Sequence, residues 1–247
     1  TSQTLFTSAL GGDCATTFPH TISFPNNIMI TGNLFSQDNG LSWTKFMDSS
    51  FNAVGWNGSQ WIFGGATSYI SNDLSGGHFI QLPYSIHVIH WNGIQWMIGT
   101  DTQILTSYDG FNWLNTNTNL VTDSGFSCNG IAWNGSIWVA SGISYNEPYI
   151  IFSNDGFQWN RTTNTLGGGP IEWNGSYFLC GGPFNSNLPN VTSISKSADG
   201  GLWTQFIMDE NEIVQSLWTQ SNIGEFGTIQ GIAWNGNVWV LTTNAVG

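Results

Sequence analysis

Few groups in this chain are able to do chemistry, and they can be taken by type. Two carboxylates about 5–10 Å apart suffice to hydrolyse a glycosidic bond, one as acid and one as base or nucleophile. The candidates are Asp101, Asp123, Glu147, Glu172, Asp209, Glu210 and Glu212, and nothing in their spacing selects a pair. Asp109, Asp155 and Asp199 are set aside, because each stands in a Ser-x-Asp-Gly segment where a carboxylate bonds the backbone N–H groups of a tight turn. The run Asp209-Glu210-Asn211-Glu212 has the charge to hold Ca²⁺ but not the spaced ligands of a calcium loop, so a solvated acidic loop is expected. His87 and His90 point to opposite sides of a regular strand and read as packing residues rather than ligands. Cys14, Cys128 and Cys180 match no zinc or CxxC spacing. They read as buried small hydrophobes, with one disulfide plus a free thiol as the alternative. No phosphate loop and no Ser-His-Asp order is present. The expectation is therefore no catalytic residue, no metal and no cofactor.

Composition narrows the partners. Of 247 residues, 15 are acidic and 3 are Lys or Arg, for a formal net charge of −12. Lys45, Arg161 and Lys196 are the whole cationic supply. That excludes a nucleic-acid binder, which needs cations to displace phosphate counterions. An aromatic content of 15% argues against a disordered acidic chain. A membrane-crossing helix needs about 18 consecutive apolar residues, and the sequence has no such run, so no membrane insertion is expected. Scarce Lys with abundant Asn, Ser, Thr and Gly suggests an extracellular or virion-surface location. Sequons occur at Asn57, Asn134, Asn160, Asn174 and Asn190, no more often than this composition gives by chance. They are candidate glycosylation sites if the chain takes a secretory route.

The elements that must position these groups are internal repeats. One unit reads apolar-x-Trp-Asn-Gly-x-x-Trp and starts its aromatic pairs at Trp56, Trp91, Trp133, Trp173 and Trp234, with Phe178 replacing the second Trp in the fourth copy. Asn-Gly between apolar stretches predicts a hairpin with a type I′ turn, in which both turn residues take positive φ. In the third copy that turn would set Trp133 opposite Ser136 and Ile131 opposite Trp138, with Ala132, Ile137 and Val139 on the other side. Both sides are apolar, so each hairpin is expected to lie between neighbours. A second unit, Ser-x-Asp-Gly-x-x-Trp, runs from Ser107 to Trp113, Ser153 to Trp159 and Ser197 to Trp203. Ser36 to Trp43 has one extra residue, and the segment from Ser71 is a degenerate copy. Thirteen of the 14 Trp residues lie in these units; only Trp218 stands outside.

Two alternating hairpins make a four-stranded unit. The Trp-Asn-Gly copies are separated by 35, 42, 40 and 61 residues, which fits the roughly 40–45 residues of a propeller blade. The fold class is thus all-β, a single β-propeller domain over residues 1–247. Six blades are expected, with residues 4–18 supplying the third and fourth strands and residues 231–243 the first and second strands of the last blade. Five blades would follow if residues 1–27 were only an arm.

The Ser-x-Asp-Gly-x-x-Trp turns resemble the Asp-box, or BNR repeat, of sialidase-like propellers, and the resemblance runs through the whole chain. Only Ser36–Trp43 matches the usual Ser-x-Asp-x-Gly-x-x-Trp spacing in full. The Trp-Asn-Gly hairpins resemble repeat proteins of giant-virus and environmental type. A Trp-Asp dipeptide, the mark of WD repeats, is absent. A sialidase would need an arginine triad for the substrate carboxylate, and this chain has Arg161 alone.

Function is then expected on the face opposite the short repeated turns, where residues 115–130, 143–149, 182–192 and 207–230 form the long connections. Candidate ligand-binding residues there are Trp218, Asp209, Glu210, Glu212, Phe226 and Tyr145. The leading reading is a non-catalytic propeller with a structural or adhesive role, whose partners are other protein subunits or surface glycans. Exchange of terminal hairpins between subunits would give a homo-oligomer or filament. A carbohydrate-binding lectin is the alternative, and a glycoside hydrolase the third reading.

Overall fold

The computed structural model describes residues 28–38, 40–74, 79–116, 125–145, 147–162, 167–182, 192–208 and 229–243. Among them every regular element is a β-strand. The first sheet contains β1 (Met29–Thr31), β2 (Leu34–Ser36) and β3 (Thr44–Lys45). The second contains β4 (Ala53–Trp56), β5 (Trp61–Gly64), β6 (Ser68–Ser71) and β7 (Ile80–Leu82). The third is β8 (Val88–Trp91), β9 (Trp96–Gly99), β10 (Ile104–Ser107) and β11 (Leu114–Asn115). The fourth is β12 (Ser127–Trp133), β13 (Trp138–Ser144), β14 (Glu147–Ser153) and β15 (Asn160–Arg161). The fifth is β16 (Ile171–Trp173), β17 (Phe178–Gly181), β18 (Thr192–Ser197) and β19 (Thr204–Met208). A two-stranded sheet of β20 (Ile229–Trp234) and β21 (Trp239–Thr243) comes last.

Each four-stranded sheet is an antiparallel meander, as the alternating repeats predict. The first strands of successive sheets pack side by side: β4 on β8, β8 on β12, β12 on β16 and β16 on β20. The fourth strands β11 and β15, and the outer strand β3, are exposed. Sheets that converge at their first strands and splay at their last form a radial fan. The expected ring closure involves residues 4–18, which lie outside the described residues.

The Trp-Asn-Gly hairpins correct the predicted register. Trp133 pairs with Trp138, Ala132 with Val139 and Ile131 with Ala140, so Trp133 does not face Ser136. The same Trp-to-second-aromatic pairing holds for Trp56–Trp61, Trp91–Trp96, Trp173–Phe178 and Trp234–Trp239. The reason is the asparagine side chain. Asn134 Oδ1 accepts the N–H groups of Ser136 and Ile137, while its own N–H reaches Ile137 O. This side-chain-closed turn needs positive φ only at the glycine, 102° at Gly135, and not at both central residues. The paired rings then lie tilted against each other at 4.5 to 5.1 Å between centroids.

The sidedness survives this correction, because alternation along a strand is unaffected by a two-residue shift of its partner. Ile131, Trp133 and Trp138 pack toward the third sheet with Val88 and Met97. Ala132, Val139 and Ile137 pack toward the fifth with Ile171 and Phe178. The β12–β13 hairpin is therefore covered on both sides. Burying a ring such as Trp61, Trp96 or Trp138 removes about 150–250 Å² from water, which is worth about 4–6 kcal/mol at ~25 cal/mol/Å². Between neighbouring sheets the approach is close enough to require glycine. A Cβ on Gly99 would lie 2.6 Å from Cys128 Cβ, and one on Gly181 2.8 Å from Ile229 Cγ2.

Candidate functional site

The repeated Ser-x-Asp turns join the third and fourth strands of their sheets and engage their own carboxylates. The Ser107, Ser153 and Ser197 hydroxyls donate to Asp109, Asp155 and Asp199 at 2.9–3.1 Å, and each accepts the following glycine N–H at 2.8 Å. The same Asp oxygens accept two further backbone N–H groups: Phe111 and Asn112, Phe157 and Gln158, Gly201 and Leu202. These bonds favour the anion and hold all three acids below the usual carboxylate range. Asp38, bonded by the Ser42 and Ser36 hydroxyls and the Ser42 N–H, is lowered to about 2. Trp113 and Trp203 donate their Nε1–H to the turn glycine carbonyls, closing the unit. In the degenerate copy, Ser71 donates instead to the backbone carbonyl of Asp73. An acid held ionised by three donors is a poor proton donor near neutral pH.

The three cations are likewise engaged. The Arg161 guanidinium lies 4.1 Å over the Tyr149 ring, on the exposed outer strand β15. Lys196 Nζ lies 3.9 Å over the Tyr177 ring, and Lys45 pairs with Asp48 at 2.7 Å. Cys128 and Cys180 are buried, and burial pushes the Cys180 thiol up to about 12, which removes its thiolate reactivity. His90 is buried edge-on to Trp138, the packing role expected of it. His87 differs: it precedes β8, is half-buried, and its Nε2 lies 3.0 Å from Asp101 Oδ1. Sequence reasoning missed this pairing because the partners belong to different loops of one sheet.

The Asp101 loop forms part of the face opposite the repeated turns. The Thr102 carbonyl there accepts the N–H of Phe126, and Ser144 donates to the neighbouring Gly125 carbonyl at 2.7 Å. Ser144 belongs to the second-to-third-strand hairpin of the fourth sheet. The long connections expected at 143–149 and 115–130 are partly strand, since β13 and β14 extend to Ser144 and from Glu147, and β12 starts at Ser127. These two strands have seven residues each, against four in β5, β6, β9 and β10. Tyr145 sits at the tip with φ of 50°, 64% exposed, followed by exposed Glu147. Among the described residues it is the one non-glycine with positive φ. A bulky side chain is costly in that conformation and here faces water.

Asn57, Asn134 and Asn174 all occupy the first-to-second-strand turns, where their Oδ1 atoms close the turn. The Nδ2 atom, which a glycan would occupy, donates to Gln60 Oε1 at 3.4 Å in the Asn57 turn. Asn160 is exposed on β15. Trp218, Asp209, Glu210, Glu212, Phe226, Asn190, Asp123 and Cys14 lie outside the described residues. Among the described residues no three His, Cys, Asp or Glu side chains are grouped to hold a metal ion, and no helix is long and apolar enough to cross a membrane.

Glu172 was one unselected carboxylate among several in the sequence, and the structure singles it out. It is on β16, 3% exposed, and among the described residues its Oε2 meets no hydrogen-bond donor. Burial raises its pKa well above the usual value. The residue before the first Trp of the hairpin is Gly55, His90, Ala132, Glu172 and Ala233 in the five copies, so the repeat alignment carries the signal.

Comparison with models of protein families finds no match, and neither does comparison with curated proteins. Solved structures do match. The Pan2 WD40 domain of Neurospora crassa aligns with a TM-score of 0.57 at 9% identity, over 88% of this chain and 68% of that one. A chain of a nidogen/laminin complex aligns with the same TM-score and identity, over 86% of this chain and 82% of that one. The fold is a β-propeller. At such low identity the likeness extends to architecture alone. This propeller lacks the Trp-Asp dipeptide of WD repeats and builds its blades on Trp-Asn-Gly hairpins instead.

Proposed function

We propose that this chain is a non-catalytic propeller of an extracellular or virion surface, with a structural and adhesive role. One observation carries this reading: the repeated acids and all three cations are engaged in contacts that hold local structure. The resemblance of the Ser-x-Asp turns to Asp-box repeats agrees with it, since such turns specify fold and not activity. In this reading six blades close through the N- and C-terminal hairpins, within one chain or exchanged between subunits. Static light scattering of native material tests the exchanged form: a mass of one chain at all concentrations removes the filament. Hydrolysis of any member of a broad polysaccharide and sialoside panel would overturn the non-catalytic reading and favour the glycosidase.

A lectin is the second reading, and Tyr145 favours it. An exposed aromatic ring on a rigid hairpin offers a stacking face for a sugar, two residues from the exposed carboxylate of Glu147. A glycan array read with wild type and Tyr145→Ala discriminates: binding lost in the variant supports it, and no binding by wild type at high concentration rejects it.

A further inference from the structure

Glu172 occupies the seat of the last hairpin. Its cross-strand partner is Leu179, and directly opposed residues share one side of a sheet. Leu179 packs with Ile194, Ile229 and Ile232, bordered by Tyr177, Trp239 and Leu241. The adjacent Ile171 and Trp173 face the other way, into the fourth sheet. The Glu172 carboxyl is therefore held between β16–β17 and the β20–β21 hairpin.

The equivalent seats in other sheets are built for intimate contact. A Cβ on Gly55 would lie 2.5 Å from Ile89 and 2.8 Å from Trp96, so that hairpin is accepted by a bare backbone. Ala132 gives the same kind of seat to Phe178. Placing a carboxyl there costs apolar contact in every protonation state, and far more when it is charged. The hairpin seated on Glu172 is also less covered: Val240 is 41% exposed, while the equivalent Ile62, Met97 and Val139 are 0% exposed.

We propose that Glu172 makes the joint between the fifth sheet and the C-terminal hairpin a proton-dependent seam, closed while the carboxyl is protonated and loosened when it ionises. Among the described residues, the charged and titratable groups on this face offer Glu172 Oε2 no hydrogen bond. From β18, Lys196 directs its ammonium to the Tyr177 ring. Just before β17, the Tyr177 hydroxyl accepts the Trp239 Nε1–H at 2.9 Å. Strands β20 and β21 bring no ionisable side chain. The sign follows: a carboxyl whose folded pKa is raised keeps its proton in the folded state after the unfolded chain has released it. Stability of the joint is full below the unfolded value of about 4.3 and declines as pH rises toward the folded value.

Hydrogen exchange of the full chain, read by mass spectrometry from pH 5 to pH 9 and corrected for intrinsic rates, tests the seam. Protection of residues 229–243 should fall at least tenfold across that range, while β8–β9 stays constant. Glu172→Gln keeps the shape and should remove the pH dependence. Glu172→Ala, which restores the seat residue of the fourth sheet, should remove it and raise protection. Glu147→Gln, at an exposed carboxylate, should retain the wild-type slope. Protection of 229–243 that is flat with pH in wild type, or that falls equally in both Glu172 variants, overturns the proposal.

Discussion

Two hairpins of this molecule have almost the same sequence and different surroundings. Ile131-Ala-Trp133-Asn-Gly-Ser-Ile-Trp138-Val139 and Ile232-Ala-Trp234-Asn-Gly-Asn-Val-Trp239-Val240 share register, the asparagine-closed turn and a bulge two residues before the first isoleucine. Their ring pairs are 4.9 and 5.1 Å apart. Trp138 and Val139 are nevertheless buried, while Trp239 is half-exposed and Val240 exposed. Local sequence thus builds the hairpin, and neighbouring sheets supply most of its stabilisation. A middle hairpin is covered from both sides and extended by a third strand, and the last one has its described cover from the fifth sheet alone.

The largest expected effect separates the two directly. Trp138→Ala should destabilise by about 3–5 kcal/mol, the usual cost of truncating a buried aromatic. Trp239→Ala should cost no more than about half of that, because part of its ring already meets water. Equal losses in denaturant titrations would mean that the last hairpin is covered as fully as the middle one. Next comes Gly99→Ala, which must push Cys128 aside between the third and fourth sheets. Overpacking of this kind costs about 1–3 kcal/mol, and a thermal midpoint unchanged from wild type would show that the sheets separate freely. Turn substitutions should sharpen the contrast by failing to show it. Gly135→Ala and Gly236→Ala both place a side chain at positive φ in open space. Each should cost about 1–2 kcal/mol, the same in both hairpins.

The smallest effect is expected from the Ser-x-Asp turns. Asp155→Ala removes the acceptor of two backbone N–H groups and should cost about 1 kcal/mol. The pH dependence has a defined sign. Acids with lowered folded values contribute stability that is present above about pH 4 and lost as pH falls through the folded value, about 2 for Asp38. Thermal midpoints should decline on that acid limb, and Asp155→Ala should make it shallower. An acid limb identical in the variant would show that the turn bonds persist in the unfolded chain.

Much of this architecture is legible in the residues because the repeats state it several times. Trp-Asn-Gly and Ser-x-Asp-Gly are local signals, and the hairpins they predict are present. The exact pairing was not legible: an asparagine closes its turn through its side chain, and the backbone rule for a type I′ turn puts the partner two residues too early. His87–Asp101 and the seat of Glu172 were hidden for a different reason, since their partners are far away in sequence. Tyr145 was visible as an exposed candidate, but its positive φ at the end of an extended hairpin was not.

The sequence by itself determined the strands, the turns and which side of each hairpin is apolar, because alternation and turn chemistry act over a few residues. Only the tertiary structure decided how deeply each copy is buried and which single carboxyl is closed away from water. Those properties depend on what the neighbouring sheet places opposite, and one motif meets a different neighbour at each position in the fan.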